Sequence, residues 1–252
     1  MARFTVSGAR ICIAGATSTL ATAVAHRLAE RGARLHLAAR NVDAAERVGR
    51  DLVVRHRADV SWSHFDVTAG ADHVSMLDAA ADAMGGLDVL VVAVGRLGDQ
   101  RRAEQDPTHL AAVVNVNFTH VAQLLERAAH RLEAQGSGML VALSSVAGDR
   151  GRPSNYAYGA AKAGLSAFLG GLRGRLYDAG VHVLTVKPGP VDTKMTAGMD
   201  DLPLLADPGT VADDIVQAME TRTDVCYTPG VWRLIMAAIR CIPASVFKRL
   251  DL

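Results

Sequence analysis

Cysteine, clustered metal ligands and excess charge are all scarce in this chain of 252 residues, and each scarcity excludes a class of protein. The three cysteines have no ligand spacing and no evident pairing, so Cys12, Cys226 and Cys241 are expected to be reduced, buried thiols. The nine histidines are scattered, and no metal site is expected. A formal net charge of +1 provides no global basic field for nucleic acid.

Repeats, low-complexity tracts and long linkers are also missing. Met1 is not followed by a basic, apolar and small-residue leader, so a cytoplasmic protein without a secretory signal is expected. Half of the residues are apolar, and at this length they can bury one substantial core. Apolar strands alternate with helical patterns along the chain, which predicts an α/β fold.

One pair of side chains has the spacing of a catalytic pair. Tyr158 and Lys162 lie four residues apart, which on a helix places both on one face. A phenol with an unperturbed pKa of about 10 is a poor proton donor or acceptor at neutral pH, and an ammonium one turn away favours the phenolate. Tyr156 has Ala160 at the same spacing and lacks this partner. Taken alone, the pair is more typical of an exposed helical face with no role.

Two further polar residues precede this pair along the chain. Ser145 lies thirteen residues before Tyr158, just after the apolar run 139–143, which is predicted to be a buried parallel strand. Because ligands of open α/β sheets bind beyond the carboxyl ends of the strands, Ser145 is expected at that edge. Asn117 follows the run 111–116. In the alternative interpretation, it lies in the middle of a helix and exposes its side-chain amide to solvent.

Together with the segment Pro188-Gly189-Pro190-Val191-Asp192-Thr193, these residues resemble the pattern of the short-chain dehydrogenase/reductase family. That family carries Asn, Ser, Tyr and Lys in this order, and a Pro-Gly-x-x-x-Thr segment follows its next strand. The resemblance covers essentially the whole chain. It implies these catalytic residues: Asn117, Ser145, Tyr158 and Lys162. It also implies nicotinamide contacts by Pro188, Gly189, Val191 and Thr193.

The family resemblance also implies the architecture. We expect a single-domain, Rossmann-type, doubly wound parallel sheet with helices on both faces, formed by residues 1–230. A C-terminal amphipathic helix, residues 231–252, would follow it. The family pairs its long central helices into homodimers or homotetramers, so segments 111–134 and 158–177 are the expected interface.

The first strand–helix turn agrees with this resemblance. A short predicted strand, residues 10–14, leads into Gly15-Ala16-Thr17-Ser18-Thr19-Leu20-Ala21 and a helix to about Arg31. Free backbone N–H groups and the helix dipole at such a turn bind phosphate. The candidate cofactor contacts are Gly15, Thr17, Ser18, Thr19 and Leu20. Thr19 replaces a family glycine, so its Cβ crowds the pyrophosphate and it needs an ordinary φ; a tight turn without a ligand is the alternative.

Arg40 determines the predicted cofactor. An acid at the end of the second strand would bind the ribose 2′-hydroxyl, but here Ala39 is followed by Arg40, whose guanidinium suits a 2′-phosphate. NADP(H) is therefore preferred, with NAD(H) as the alternative. In the competing interpretation, Arg40 only caps the helix that begins near Asn41.

Two more loops match cofactor contacts of the family. Asp66 and Val67 follow the third predicted strand, residues 60–65, and correspond to the loop that holds the adenine. After the fourth strand, residues 87–92, the family has Asn-Asn-Ala-Gly where this chain has Val92-Ala93-Val94-Gly95. Ala93 and Gly95 remain candidate contacts, because close backbone approach to the cofactor needs glycine, but two bracing Asn side chains are missing.

Two regions are predicted to select the substrate. Residues 190–207 match the family's flexible lid, and the helix after it is expected near 208–221. The inner face of the lid would be apolar through Met195, Met199, Leu202, Leu204 and Leu205. The apolar run of the tail, which Pro243 stops, is too short and interrupted to span a bilayer. Its basic residues are Arg233, Arg240, Lys248 and Arg249. The tail would lie in a membrane interface, or pack on the body or on a second subunit.

Segments 94–99, 144–150 and 240–250 are similar to one subgroup of the family, the decaprenylphosphoryl-2-keto-erythro-pentose (keto-arabinose) reductases. This similarity implies a ketone on a polyprenyl phosphate, reduced by a cytoplasmic enzyme that is peripheral on the membrane. A reductase of another lipid, sugar or secondary-metabolite ketone is the alternative. A non-catalytic cofactor-binding sensor or scaffold is the competing class.

The expected chemistry follows from the family. NAD(P)H gives hydride to the ketone carbon, Tyr158 protonates the oxygen, and Ser145 holds that oxygen. Lys162 lowers the Tyr158 pKa and holds the cofactor ribose, while Asn117 positions a water that relays protons to Lys162.

Overall fold

Seven parallel strands form the centre of the molecule in the computed structural model, which describes residues 3–199 and 202–250. They are β1 Arg10–Ala14, β2 Arg34–Ala39, β3 Val60–His64, β4 Val89–Val92, β5 Gly138–Leu143, β6 Val181–Pro188 and β7 Val225–Thr228. Their order in the sheet is β3-β2-β1-β4-β5-β6-β7, and every neighbouring pair is parallel. This order is that of a Rossmann-type sheet, so the predicted fold class is confirmed.

Helices cover both faces of this sheet. They are α1 Thr19–Glu30, α2 Val42–His56, α3 Gly70–Met84, α4 Gln100–Gln105, α5 Pro107–Val114, α6 His120–Gln135, α7 Tyr156–Leu176, α8 Pro208–Glu220, α9 Val231–Cys241 and α10 Ala244–Phe247. Side chains alternate along each strand: Ile11 and Ile13 pack against α1, α2 and α8, whereas Cys12 and Ala14 pack against α3, α6 and α7. Both faces are buried, which explains why the strands are almost continuously apolar.

The direction of winding reverses beside β1, which pairs with β2 on one side and with β4 on the other. Ligands of such sheets bind beyond the carboxyl ends of the strands at this reversal. The chain leaves β1 at Gly15, β4 at Ala93, β5 at Ser144 and β6 at Gly189. The fold therefore brings these four loops to one edge of the sheet.

Predicted element boundaries differ from the structure mainly at strand ends. The strands expected over 60–65 and 87–92 are shorter, although Phe65 N still donates to Ala39 O and Asp88 N to Arg10 O. The segment 111–134 is also interrupted, because a π-helical turn, Asn115–Thr119, separates α5 from α6. Two predicted segments include residues outside the described ranges: Asp200 and Asp201 in the lid, and Asp251 and Leu252 at the end of the tail.

The tail packs on the body along one face. Trp232 and Met236 of α9 are buried against Val146, and α10 follows after a break at Pro243. Arg150 anchors this break, because its Nη2 donates to Ile242 O at 3.1 Å and its guanidinium lies 4.4 Å from the centre of the Phe247 ring. Among the described residues, no helix is both long and apolar enough to cross a membrane.

Candidate active site

Tyr158 occupies the first turn of α7 and is buried, whereas Tyr156 two residues earlier is 45% exposed. Ser145 begins a 3₁₀ turn, Val146–Gly148, where its Oγ accepts a hydrogen bond from Ala147 N at 3.1 Å. Burial raises the pKa of Tyr158 to about 12, and a side-chain hydrogen bond with Ser145 lowers that pKa in opposition. At neutral pH the phenol is therefore protonated and able to act as a proton donor.

Lys162 lies one turn further along α7 and is only 2% exposed. Its Nζ donates to Leu143 O at 2.8 Å and lies 5.7 Å from the centre of the Tyr158 ring. Burial lowers the pKa of Lys162 to about 8. The Tyr158 pKa is not lowered overall, because the desolvation of the buried phenol outweighs its hydrogen bond with Ser145. The predicted lowering of this pKa by Lys162 stays a prediction.

Asn117 lies inside the π-helical turn and is fully buried, so the alternative of an amide in solvent is wrong. Its Nδ2 donates to Arg96 O at 2.6 Å and to Val113 O at 2.8 Å, and its Oδ1 accepts from Arg96 N at 3.1 Å. Such turns are frequent at functional sites, where they redirect a side chain out of the regular helix. The predicted water-holding role of Asn117 stays a prediction.

Gly95 lies next to two of these candidate residues. A Cβ placed on Gly95 would lie 3.2 Å from Asn117 Oδ1 and 3.5 Å from Lys162 Nζ. Both catalytic candidates therefore face the same stretch of backbone after β4. A side chain there would fill the space in front of them, which explains the need for glycine at this position.

The turn after β1 has the geometry of a phosphate-binding turn. Gly15 has φ +83°, and a Cβ on it would lie 3.0 Å from Ala93 O, so no other residue fits without strain. Ser18 caps α1 by accepting from Ala21 N at 3.2 Å, and Thr19 is the first helical residue. Thr19 has no positive φ, which agrees with the expectation that it needs an ordinary one.

The other predicted cofactor contacts of this turn are Thr17, Ser18 and Leu20. Thr17 and Ser18 lie partly or fully at the surface, while Leu20 is buried beneath them. The first turn of α1 directs its backbone N–H groups outward, as an anion site requires.

Arg40 is exposed at the end of β2, close to Asp66. The capping alternative is wrong, because Asn41 caps α2 with its Oδ1, which accepts from Ala44 N at 2.9 Å. In the part of the chain that the structure describes, Arg40 forms no salt bridge. Its guanidinium is thus open to an anion.

The loop that is predicted to hold the adenine is ordered by its own hydrogen bonds. Asp66 Oδ1 accepts from Thr68 N at 2.9 Å and from Thr68 Oγ1 at 2.8 Å. These bonds, led by the backbone one, lower the pKa of Asp66, and the charge of Arg40 adds to the lowering. Val67 is buried behind the loop.

The Pro-Gly segment lies against the tail. Pro188 ends β6, and a Cβ on Gly189 would lie 2.0 Å from Trp232 Nε1, so only glycine lets the indole pack there. Val191 pairs with Ala206 in an isolated bridge that closes the base of the lid. The hydroxyl Oγ1 of Thr193 accepts from Met195 N at 3.3 Å and orders the chain beyond it.

The lid and a cavity flank Tyr158. Four apolar side chains of the lid are exposed: Met195, Met199, Leu204 and Leu205. A cavity of about 300 Å³ lies between α4, the start of α7 and Met199 of the lid. It is lined by Leu97, Gly98, Asp99, Gln100, Arg101, Ala103, Val113, Ser154, Asn155, Ala157 and Met199. Leu97, Ala103, Val113 and Ala157 also pack with Tyr158, so the cavity adjoins the phenol.

Three side chains behind the site were not predicted from the sequence. Lys187 Nζ donates to Asp149 Oδ1 at 2.5 Å, and Tyr227 OH donates to Asp149 Oδ2 at 2.7 Å. Burial is the larger cause that raises the pKa of Tyr227 to about 12, and the hydrogen bond to Asp149 raises this pKa further. The cluster ties the loop of Ser145 to β6 and β7. The sequence spacing of these three residues does not predict the cluster, because they lie on three separate elements.

The three cysteines do not share one environment. Cys12 is buried and Cys226 is partly buried, but Cys241 is exposed at the end of α9. The expectation of three buried thiols is therefore wrong for Cys241, whose helix buries only the face that carries Trp232 and Met236.

Comparison with known proteins identifies the family. A family model described as short chain dehydrogenase matches residues 9–202. An "uncharacterized oxidoreductase in mprA 5′ region" of Streptomyces coelicolor is 39% identical over 244 residues, which cover 95% of each chain. A cis-4-hydroxycyclohexanecarboxylate dehydrogenase of Sinomonas cyclohexanicum is 34% identical over 192 residues, 74% of this chain and 75% of that protein. The chain belongs to the short-chain dehydrogenase family.

A solved structure shows the same fold over the whole chain. A short chain dehydrogenase from Burkholderia cenocepacia, crystallised in complex with NADP, superposes with a TM-score of 0.83 at 23% identity. The match covers 99% of this chain and 100% of that one. The predicted enzyme family is confirmed, and the narrower resemblance to keto-arabinose reductases stays a prediction.

Proposed function

We propose that the chain is an NADP(H)-dependent reductase that transfers hydride to a ketone. The convergence of Asn117 and Lys162 beside Gly95, with Tyr158 next to Lys162 and hydrogen-bonded to Ser145, is the observation that carries this proposal. Their four loops and helices meet at the carboxyl edge of the sheet, where a cofactor of such folds binds. A sensor or scaffold protein has no need for a buried, protonated tyrosine at this edge.

The residues at this edge fit a nicotinamide dinucleotide. Gly15 and Gly95 leave room that a Cβ would fill, and the first turn of α1 suits a pyrophosphate. The open guanidinium of Arg40 suits a 2′-phosphate, and Asp66 and Val67 would flank the adenine. Pro188, Gly189, Val191 and Thr193 would hold the nicotinamide, which supplies the hydride when it is bound in reduced form. The NADP in the Burkholderia relative of the same fold supports this assignment.

The side chains of the site handle the proton. Tyr158, neutral below a pKa of about 12, donates its proton to the oxygen of the reacting carbonyl. Ser145 donates a hydrogen bond to the same oxygen as negative charge develops on it. Lys162, charged below a pKa of about 8, stabilises the phenolate that Tyr158 leaves behind and holds the ribose. Asn117 would support a water that returns a proton through Lys162.

The surroundings of the site favour a ketone with an apolar part. The exposed lid side chains Met195, Met199, Leu204 and Leu205 can close over such a group. A keto-pentose on a polyprenyl phosphate is the first candidate, supported by this apolar lid and by the resemblance of three segments to keto-arabinose reductases. A ring ketone or ring secondary alcohol is the second candidate, favoured by the named activity of the 34% identical Sinomonas relative.

A ketone panel tests the proposed reaction. Loss of nicotinamide absorbance is measured with NADPH and with NADH against neutral ring ketones, keto acids, keto sugars and a polyprenyl-phosphate keto-pentose. Tyr158→Phe should lower turnover by about 10²–10⁴-fold and leave NADPH binding nearly intact, since general acid catalysis contributes that much. Tyr156→Phe, exposed and two residues away, is the matched control and should do much less.

Two results would contradict the proposal. Near-full turnover by Tyr158→Phe would remove the phenol from its catalytic role. NADPH binding without turnover of any ketone would favour the sensor or scaffold class instead.

A further inference from the structure

Two buried N–H donors beside the active site have no acceptor among residues 3–199 and 202–250. They are Arg152 Nε and Trp232 Nε1. Arg152 lies between the catalytic Ser145 and Tyr158 in sequence, and Trp232 lies in the first turn of α9 with 3% exposure. A buried donor without a partner costs about 1–3 kcal/mol. Because both groups can only donate, the partner that they lack is an acceptor.

The two donors lie on one side of the proposed reaction centre. Arg152 Nη2 is 3.9 Å from Met236 Sδ, and Met236 lies one helical turn after Trp232 on α9. Trp232 and Met236 both pack on Val146, the residue after Ser145. Trp232 Nε1 also lies against Gly189. The donors are therefore enclosed by the serine loop, the Pro-Gly segment and the tail.

Among residues 3–199 and 202–250, no acid forms a salt bridge with Arg152. Asp149 is the single acid of its own loop, and it is already bound by Lys187 at 2.5 Å and Tyr227 at 2.7 Å. The neighbouring Arg150, in contrast, donates to the carbonyl of Ile242 and lies on an aromatic ring. The side chain of Arg152 is half-buried, and its guanidinium contacts a thioether rather than a carboxylate. Burying a charged group in this way destabilises the folded state. Such a group is typical of a site that receives an anion.

We propose that Arg152 and Trp232 form a subsite for an anionic oxygen group, a carboxylate or a phosphate, on the ketone substrate. This inference rests on the proposed reductase function. The planar guanidinium can bind two oxygens of such a group, and the indole N–H can bind one. The flexible thioether of Met236 is the side chain that moves aside to admit the anion.

Two pairs of probes separate charge from shape. 4-Oxocyclohexanecarboxylate is compared with 4-oxocyclohexanecarboxamide, and dihydroxyacetone phosphate with dihydroxyacetone. The quantity measured is the ratio of kcat/KM for the anionic probe to kcat/KM for its neutral partner, with the preferred cofactor saturating. The wild-type enzyme should favour the anionic member of at least one pair by about 10- to 100-fold, the range expected for a hydrogen bond to a charged group.

Three variants assign this preference to the subsite. Arg152→Gln should abolish the ratio while kcat/KM for the neutral probe stays within about two-fold, a pattern that loss of folding cannot produce. Arg152→Lys should keep part of the ratio. Trp232→Phe keeps the packing but removes one donor, and should lower the ratio by a smaller factor. Arg233→Gln removes an exposed charge of the same tail and should leave the ratio unchanged.

The outcomes distinguish this inference from the proposed reaction. Reduction of neutral and anionic ketones at equal rates would overturn the subsite and leave the reductase function standing. If the wild type reduces no ketone, the reaction proposal fails, and the subsite is judged by thermal shift with cyclohexanecarboxylate in the presence of NADP⁺. Stabilisation of the wild type but not of Arg152→Gln would support the subsite. Equal responses of both proteins would overturn it.

Discussion

Burial acts in opposite directions on the two central side chains. It disfavours the charged form of each group, so it raises the pKa of Tyr158 to about 12 and lowers that of Lys162 to about 8. The spacing of four predicted that the two side chains share a helix face, and the structure agrees. It could not predict their burial, because the residues that cover Tyr158, such as Ala103 and Val113, come from other helices. At neutral pH, Tyr158 is a neutral donor and Lys162 still carries its charge.

The first residue-scale prediction concerns pH. For ketone reduction, kcat/KM should be level near neutrality and should fall as pH rises through about 8. In that range Lys162 loses its proton, while Tyr158 keeps its proton until about pH 12. Lys162→Arg keeps a positive charge throughout this range, so its falling limb should move to higher pH. The same limb in both proteins would assign the titration to another group.

The second residue-scale prediction concerns cofactor choice. Arg40→Asp should lower kcat/KM with NADPH by about 10- to 100-fold relative to NADH, because a charge-assisted bond to the 2′-phosphate is lost and a repelling carboxylate is gained. Arg47→Asp makes the same charge change at an exposed position of α2 and is the control. A wild-type enzyme that already prefers NADH would show that the interpretation of Arg40 is wrong.

At the scale of elements, local sequence patterns predicted strands, but not the features that depend on contacts between distant residues. Apolar runs predicted six of the seven strands to within a few residues, but not β7, and Ser145 follows the end of β5 as expected. The π-helical turn was not predicted, because its widened backbone depends on the burial of Asn117 against Arg96. The tail pattern showed that an apolar face exists, but it could not show that Val146 covers it.

The third prediction concerns the outer surface of the tail. Val231 and Leu234 are 45% and 73% exposed on α9, beside the exposed Arg233 and Arg240. Full-length protein should therefore float with anionic vesicles and not with neutral ones, and salt should weaken the binding. Each basic residue near an anionic surface contributes about 1 kcal/mol, and the apolar side chains add to it.

The control for this flotation experiment is a pair of substitutions rather than a truncation. Ending the chain before Val231 would remove the buried Trp232 and Met236 and expose the core that they cover. Arg233→Glu combined with Arg240→Glu leaves that packing in place and should abolish flotation. If the wild-type protein stays unbound on anionic vesicles at low salt, the tail serves only to pack on the body or on a second subunit.

At the scale of the whole molecule, a net charge of +1 conceals an uneven distribution. From Gly148 to Asn155 and from Val231 to Leu250, basic residues surround the tail side of the site: Arg150, Arg152, Arg233, Arg240, Lys248 and Arg249. Asp149 is the single acid in these two segments, and Lys187 already binds it. The field on this side favours an anionic substrate or surface, whereas α1 and α8 carry paired charges such as Arg27 with Asp213.

The last prediction concerns assembly through α7. Ala167, Gly170, Gly171 and Gly174 form an exposed stripe along this helix, and a Cβ on any of the three glycines would meet nothing within 4 Å. Glycine inside a helix costs about 0.5–1 kcal/mol relative to alanine, so three on one exposed face are unfavourable unless a close partner uses the flat surface. We expect a homodimer or homotetramer by light scattering, with this stripe in the interface.

A large residue on the stripe should therefore separate the subunits. Gly171→Arg fits the isolated subunit, because nothing lies in its way, but it would place a bulky charge between paired helices. It should shift the mass measured by light scattering to that of a monomer while the circular dichroism spectrum stays native. Val54→Arg, on the opposite layer and 81% exposed, is the control and should leave the mass unchanged. If the wild-type protein is a monomer, or if the Gly171→Arg variant still assembles, the glycine stripe of α7 is not the subunit interface.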